Sequence, residues 1–311
     1  LDQGQMLDRF RLGLVDVQLE RAAVGGLHAF LGDANDDAVV VCQRAVRRAN
    51  RASWIATVVV LAFVASCSRD ARSEGPAPDR AFYYWRTTFK LSPPEQRAIA
   101  DLHINKLYVR KFDVEWNEVA SAPGLVGKIT IGDGARVPDG VEVVPVVFLR
   151  ESVFRRLGQI PSAELARTAW LEVERRAKLL GFTPRELQLD CDWTDGTRDA
   201  FFAFVKQMRT ATSAARVSLS ATIRLHQVKY RERTGVPPVD RGMLMFYNMG
   251  EFSADPEARA IFDPKSAERY LARVEDYPLA LDVALPIWSW TVHLRDDRVE
   301  GREQVGDHRH R

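Results

Sequence analysis

Cysteine is nearly absent from this 311-residue chain, which has three: Cys42, Cys67 and Cys191. That excludes a disulfide framework and any cysteine-rich zinc or iron–sulfur site. A charge excess is missing as well. The 44 Lys+Arg and 42 Asp+Glu leave a net charge of +2, whereas nucleic-acid-binding domains usually carry a strong basic surplus, so no nucleic-acid partner is expected. No glycine-rich phosphate loop follows any strand-like run, which argues against a P-loop or Rossmann nucleotide site. The histidines show no metal-ligand spacing, and neither metal nor cofactor is implied. Long apolar runs are lacking too: Trp54–Val64 falls short of the roughly 20 residues a spanning helix needs.

That short run nevertheless has a recognisable setting. Arg47, Arg48 and Arg51 precede it, and small residues lead from it to Cys67. A positive flank, a short apolar stretch and a small-residue end make a secretory signal over residues 46–67. Its last four residues, Val64-Ala65-Ser66-Cys67, resemble a bacterial lipobox, which implies lipidation of Cys67 and a protein exported to the cell envelope on a membrane anchor. Residues 68–80, polar and rich in small residues, read as a flexible tether. Residues 1–45 then read as a non-native upstream extension, with a weak helical pattern (Met6, Phe10, Leu14, Val17) as the alternative.

From residue 81 to 294 short apolar runs alternate with amphipathic helical patterns. Strands are expected at Ala81–Trp85, Lys106–Phe112, Val141–Leu149, Glu186–Asp190, Val217–Ile223, Met243–Tyr247 and Leu279–Leu285. Helices are expected from Ser92, which precedes two prolines, and at Ser162–Leu180, Thr197–Thr210 and Pro264–Val274. This alternation predicts an α/β fold with a parallel sheet, and seven strands suit a (β/α)8 TIM-type barrel incomplete at its eighth strand. An open doubly wound sheet is the alternative. Residues 295–311 form a polar tail.

In such a barrel chemistry gathers at the C-terminal ends of the strands. Asp190 and Asp192 lie two apart and share a face, with Cys191 turned away. Two close carboxylates suit general acid–base work, with Asp113 or Glu251 as a further carboxylate and Arg110 and Arg224 as their partners or as binders of an acidic sugar. Aromatic and polar residues recur at strand ends: Tyr84, Trp85, Trp193, Tyr247, Asn248 and Trp288. Flat apolar faces beside acids suit a carbohydrate ligand, and His226 and His103 read as structural. The oligomeric state is not encoded in any pattern found.

Two resemblances bear on these residues. The segments Lys106–Trp116, Leu187–Trp193, Gly242–Glu251 and Leu279–Trp290 resemble a bacterial domain-of-unknown-function family, number 3142, over about residues 81–300. That family continues past the segment matching Trp290–Gly301, which implies a truncated end. More distantly, the ends of the fourth and sixth strands are similar to family 18 chitinase-like barrels, whose fourth-strand motif is Asp-x-x-Asp-x-Asp-x-Glu. Asp190 and Asp192 match its second and third acids, Leu187 replaces the first, and Thr194 stands at the catalytic Glu. Tyr247 matches that family's sixth-strand tyrosine, and Asn248 replaces the Asp after it. The resemblance implies a glycoside-hydrolase-like barrel, either catalytic through other carboxylates or reduced to glycan binding; a structural envelope lipoprotein is the remaining alternative.

Overall fold

A computed structural model describes residues 39–43, 79–156, 162–250, 260–287, 290–295 and 298–304. Its strands are β1 (Val39–Gln43), β2 (Asp79–Tyr84), β3 (Thr88–Phe89), β4 (Lys106–Asn117), β5 (Ala122–Val126), β6 (Thr130–Ile131), β7 (Glu142–Leu149), β8 (Glu186–Cys191), β9 (Ser218–Arg224), β10 (Arg241–Met245), β11 (Leu281–Pro286), β12 (Trp290–Arg295) and β13 (Arg298–Gln304). The helices are α1 (Pro93–Asp101), α2 (Glu151–Arg156), α3 (Ser162–Leu179), α4 (Arg198–Thr212), α5 (Leu225–Lys229), α6 (Arg231–Thr234) and α7 (Pro264–Glu275).

Seven strands run parallel in the order β2-β4-β7-β8-β9-β10-β11. The architecture is a (β/α)8-type barrel whose eighth parallel strand is missing among the described residues. The gap between β11 and β2 is filled by β1, antiparallel to both. Its triple valine, Val39-Val40-Val41, is a β-branched run that favours extended backbone. It lies within the segment expected to be an upstream extension. Part of the expected polar tail is also ordered into a strand: β13 pairs with β12 as a hairpin, with a register shift at His293/Leu294.

Strand alternation sorts the side chains into two layers. Leu187, Leu189 and Cys191 of β8 and Leu219, Ala221 and Ile223 of β9 face outward into the largest apolar cluster, against Trp170, Phe201, Phe204 and Met208 of the helices. Ala81, Tyr83, Tyr108, Val144, Val146, Met243, Met245 and Ala284 face inward. β8 and β9 contribute a polar column to that interior. Ser220 Oγ donates to Glu186 at 2.6 Å, Gln188 Nε2 donates to Ser220 at 3.4 Å, and Tyr83 donates to Gln188. Buried polar groups are tolerated there because each finds a partner. The helices begin as their sequence dictates: Glu95 of α1 accepts from the Ser92 N–H at 2.5 Å, and Asp263 caps α7 by accepting from the Ser266 N–H at 2.9 Å. Among the described residues no helix is long and apolar enough to cross a membrane.

Candidate functional site

A cavity of about 680 Å³ opens at the C-terminal ends of the strands. It collects Trp85, Arg110, Asp113, Asp190, Asp192, Arg224, Tyr247 and Asn248 from among the residues singled out in the sequence. Phe148, His226, Met245 and Tyr270 complete much of its wall. The side chains from the strands arrive by parity or by a device that corrects it.

Asp190 ends the inward row of β8 and is 2% exposed. Its Oδ1 accepts from Thr222 Oγ1 at 2.6 Å and from Arg224 Nη2 at 3.1 Å. Burial opposes the charge on Arg224, but Asp190, Tyr247 and Asp192 outweigh it and push the guanidinium pKa further up. Beneath, burial and the nearby Tyr108 and Asp190 push the Tyr83 phenol well up, so it stays a neutral donor. Asp192, two residues past Asp190, also faces the cavity. Its carboxylate is half exposed and lies 3.5 Å from His226 Nε2.

Asp113 reaches the cavity by a β-bulge. Residues 110 and 113 would ordinarily point to opposite faces of β4. Arg110 pairs in register with Val146 and Phe112 with Val147, which leaves Lys111 unmatched and shifts the alternation by one. Phe112 therefore faces outward, and Asp113 returns to the side of Arg110. Arg110 donates through Nε and Nη2 to both Asp113 oxygens, at 2.7 and 2.6 Å, and through Nη1 to the Gly127 carbonyl at 3.2 Å. Asn248, just after β10, has a left-handed backbone (φ 56°), which asparagine adopts more readily than most residues.

Two expected ligand contacts are corrected. Tyr84 follows the inward Tyr83 and so faces outward; its ring packs at a tilt against Phe89, and it donates to the Thr88 carbonyl at 2.7 Å. Trp193 shares the outward parity of Cys191; it is fully buried, stacked on Phe201, and donates to the Thr234 carbonyl at 2.8 Å. Glu251, Trp288 and Cys67 lie outside the described residues. Thr194 is not part of the cavity wall. Its hydroxyl donates to Glu151 Oε1 at 2.9 Å, in a cluster with Thr197 and Arg155 that ties the start of α2 to the loop after β8. Burial raises the Glu151 pKa, but the bonds from Arg155, Thr194 and Thr197 prevail and lower it.

Sequence reasoning passed over Phe148, Tyr270 and Thr222, and set His226 aside. Parity reaches two of them, since Phe148 lies two residues beyond the inward Val146 and Thr222 two before Arg224. His226 follows the end of β9 by two residues, whereas Tyr270 comes from the face of α7 and carries no local signal. Among the described residues no group of acidic, histidine or cysteine side chains is arranged to hold a metal ion.

No family model matches the chain, and no curated protein matches it. Solved structures do. One is the spore cortex-lytic enzyme SleL of Bacillus megaterium, 12% identical, with 71% of this chain and 55% of that chain aligned and a TM-score of 0.46. Another is a chitinase-like agglutinin from Robinia pseudoacacia, 15% identical over 71% of this chain and 75% of that one, TM-score 0.45. A third is a chitinase from Chromobacterium violaceum, 13% identical over 68% and 78%, TM-score 0.40. The chain thus spans little more than half the length of the cortex-lytic enzyme. What its own strand order and register establish is the fold: a (β/α)8-type barrel with its cavity at the C-terminal ends of the strands.

Proposed function

We propose that this chain is an exported, lipid-anchored barrel that acts on a glycan by glycoside-hydrolase-type acid–base chemistry. One observation carries the reading. Aromatic faces (Trp85, Phe148, Tyr247, Tyr270) and an acid pair (Asp190, Asp192) line the same cavity at the strand ends. Sugar rings stack their apolar faces on aromatic rings, and carboxylates bind hydroxyls and move protons.

In this reading Asp192 is the general acid. It is half exposed to the cavity and faces an imidazole rather than an arginine. Asp190 is a fixed acceptor, held by Thr222 and Arg224, that orders the charges around it. Glu251 is the second carboxylate, and its separation from Asp192 sets retention or inversion. The anchor is Cys67, followed by the tether of residues 68–80.

The test incubates the full chain with a panel of bacterial and plant polysaccharides and counts new reducing ends. Asp192→Asn is expected to lose turnover by about 100-fold or more. Turnover that survives Asp192→Asn removes that residue as the acid. A second reading, glycan binding without hydrolysis, is favoured by Thr194, which stands where the family 18 motif has its acid and bonds Glu151 outside the cavity. Quenching of tryptophan fluorescence by a sugar without new reducing ends would establish it. Neither response from folded protein would leave a structural lipoprotein. Cys67→Ser is expected to move the protein from the membrane fraction to the soluble one.

A further inference from the structure

We infer that Asp113 is a specificity-determining residue that occupies Arg110 and so makes the cavity reject anionic glycans in favour of uncharged ones. The inference rests on the carbohydrate reading above and names the substrate class of that site. An arginine in a sugar cavity ordinarily suggests a carboxylated or sulfated ligand, because the guanidinium fork fits an oxyanion. Here the Nε–Nη2 edge of that fork is already filled. Asp113 takes Nε and Nη2 with both of its oxygens, and the Gly127 carbonyl takes Nη1. Both side chains of the pair are mostly buried, at 12% and 13% exposed.

An anionic sugar could take the bidentate Nε–Nη2 edge of Arg110 only by displacing Asp113, which would strand a buried carboxylate without its counter-charge. The N–H left on each Nη belongs to a guanidinium whose charge Asp113 already balances. The other basic side chains offer no better opening. Arg224 is held by the buried Asp190, and His226 faces Asp192. The wall therefore presents three carboxylates against two engaged guanidiniums and one imidazole. Hydroxyl groups meet no such barrier, since a paired carboxylate keeps lone pairs to accept from them. The pairing is built into the backbone: without the bulge at Lys111, residues 110 and 113 would face opposite sides of β4.

The experiment titrates the full chain with neutral cello-oligosaccharides and with oligogalacturonates of matched length, reading tryptophan fluorescence at low and high salt. The wild-type chain is expected to bind the neutral series with little salt dependence and the galacturonates at least about tenfold more weakly. Asp113→Asn frees Arg110, so galacturonate affinity should rise about tenfold at low salt and fall again as salt is added. Adding Arg110→Gln to that variant should abolish the gain, which ties it to the guanidinium rather than to altered folding. Wild-type preference for galacturonate, or no gain in Asp113→Asn while neutral binding persists, overturns the inference and leaves the carbohydrate reading standing. Binding of neither series by folded wild-type protein overturns the carbohydrate reading and this inference with it.

Discussion

Lys111 is the residue that the β4 bulge leaves over, and its side chain is fully buried with no hydrogen-bond partner for Nζ. The nearest compensation is the Phe182 ring, 4.9 Å from the nitrogen. Burial, and then the charge of Arg176, lower its pKa from 10.5 to about 7. The unfolded chain therefore holds a proton that the folded chain lacks between those values, and stability rises as pH climbs through that window. The gap corresponds to about 5 kcal/mol. Urea midpoints are expected to climb from about pH 7 toward about pH 10.5 in the wild type, and Lys111→Met should flatten the climb. Parallel curves for the two proteins would show that the buried amine is not responsible. Asp282 acts in the opposite sense at lower pH. Burial raises its carboxyl from 3.8 to about 6 despite Arg241 at 3.3 Å, so its contribution to stability falls as pH rises between those values. At this scale the sequence was legible wherever strand parity decided the matter. Parity put Asp190 and Asp192 in the cavity, and it equally sends Tyr84 and Trp193 to the core. A position near a strand end says that a residue is near the mouth, and only its parity says which side it faces.

The β4–β5 hairpin carries the larger departures among the elements. β4 was expected to stop at Phe112, where the continuous apolar run ends, yet it extends to Asn117. The extension holds because β5 returns against it in antiparallel register, from Asp113↔Val126 to Asn117↔Ala122, so the backbone is paired where the side chains turn polar. Ion pairs then fix the hairpin to the next helix: Arg150 meets Glu115 at 2.5 Å, and Arg156 meets Glu118. Gly127, just past the end of β5, is in a left-handed conformation (φ 54°), and a Cβ there would lie 2.6 Å from Arg110 Nη2. Gly127→Ala is expected to lower stability by about 1–2 kcal/mol from backbone strain alone. It should also displace the guanidinium, so a urea midpoint equal to that of wild type would refute the close approach. Bulges and strand extensions of this kind are set by pairing with distant residues, and hydrophobic period does not report them. By contrast, α3, α4 and α7 fall within two residues of their expected ends and α1 begins next to its expected cap Ser92, because capping residues and amphipathic period are local signals.

For the whole molecule, the parallel barrel followed from the strand–helix alternation, and seven of its strands were found in order. The closing strand was not, because Val39–Gln43 runs against its neighbours and comes from before the first β/α unit, where that alternation gives no guidance. Without β1, the backbones of β2 and β11 would each present an open edge. The 68–311 segment is therefore expected to melt below the full chain, and a synthetic peptide of residues 36–46 should restore part of the difference. Equal melting temperatures would mean that β1 adds nothing to stability. The position of β1 also bears on the proposed export, since a lipoprotein signal over residues 46–67 would be cut just before Cys67 and β1 lies on the far side of that cut from the rest of the barrel. Before cleavage the strand is a covalent neighbour of its slot, present at a high effective concentration whatever the dilution. After cleavage it is a separate peptide held by one five-residue strand, and its occupancy obeys mass action. Processing would thus turn a closed barrel into one whose seam is open to exchange.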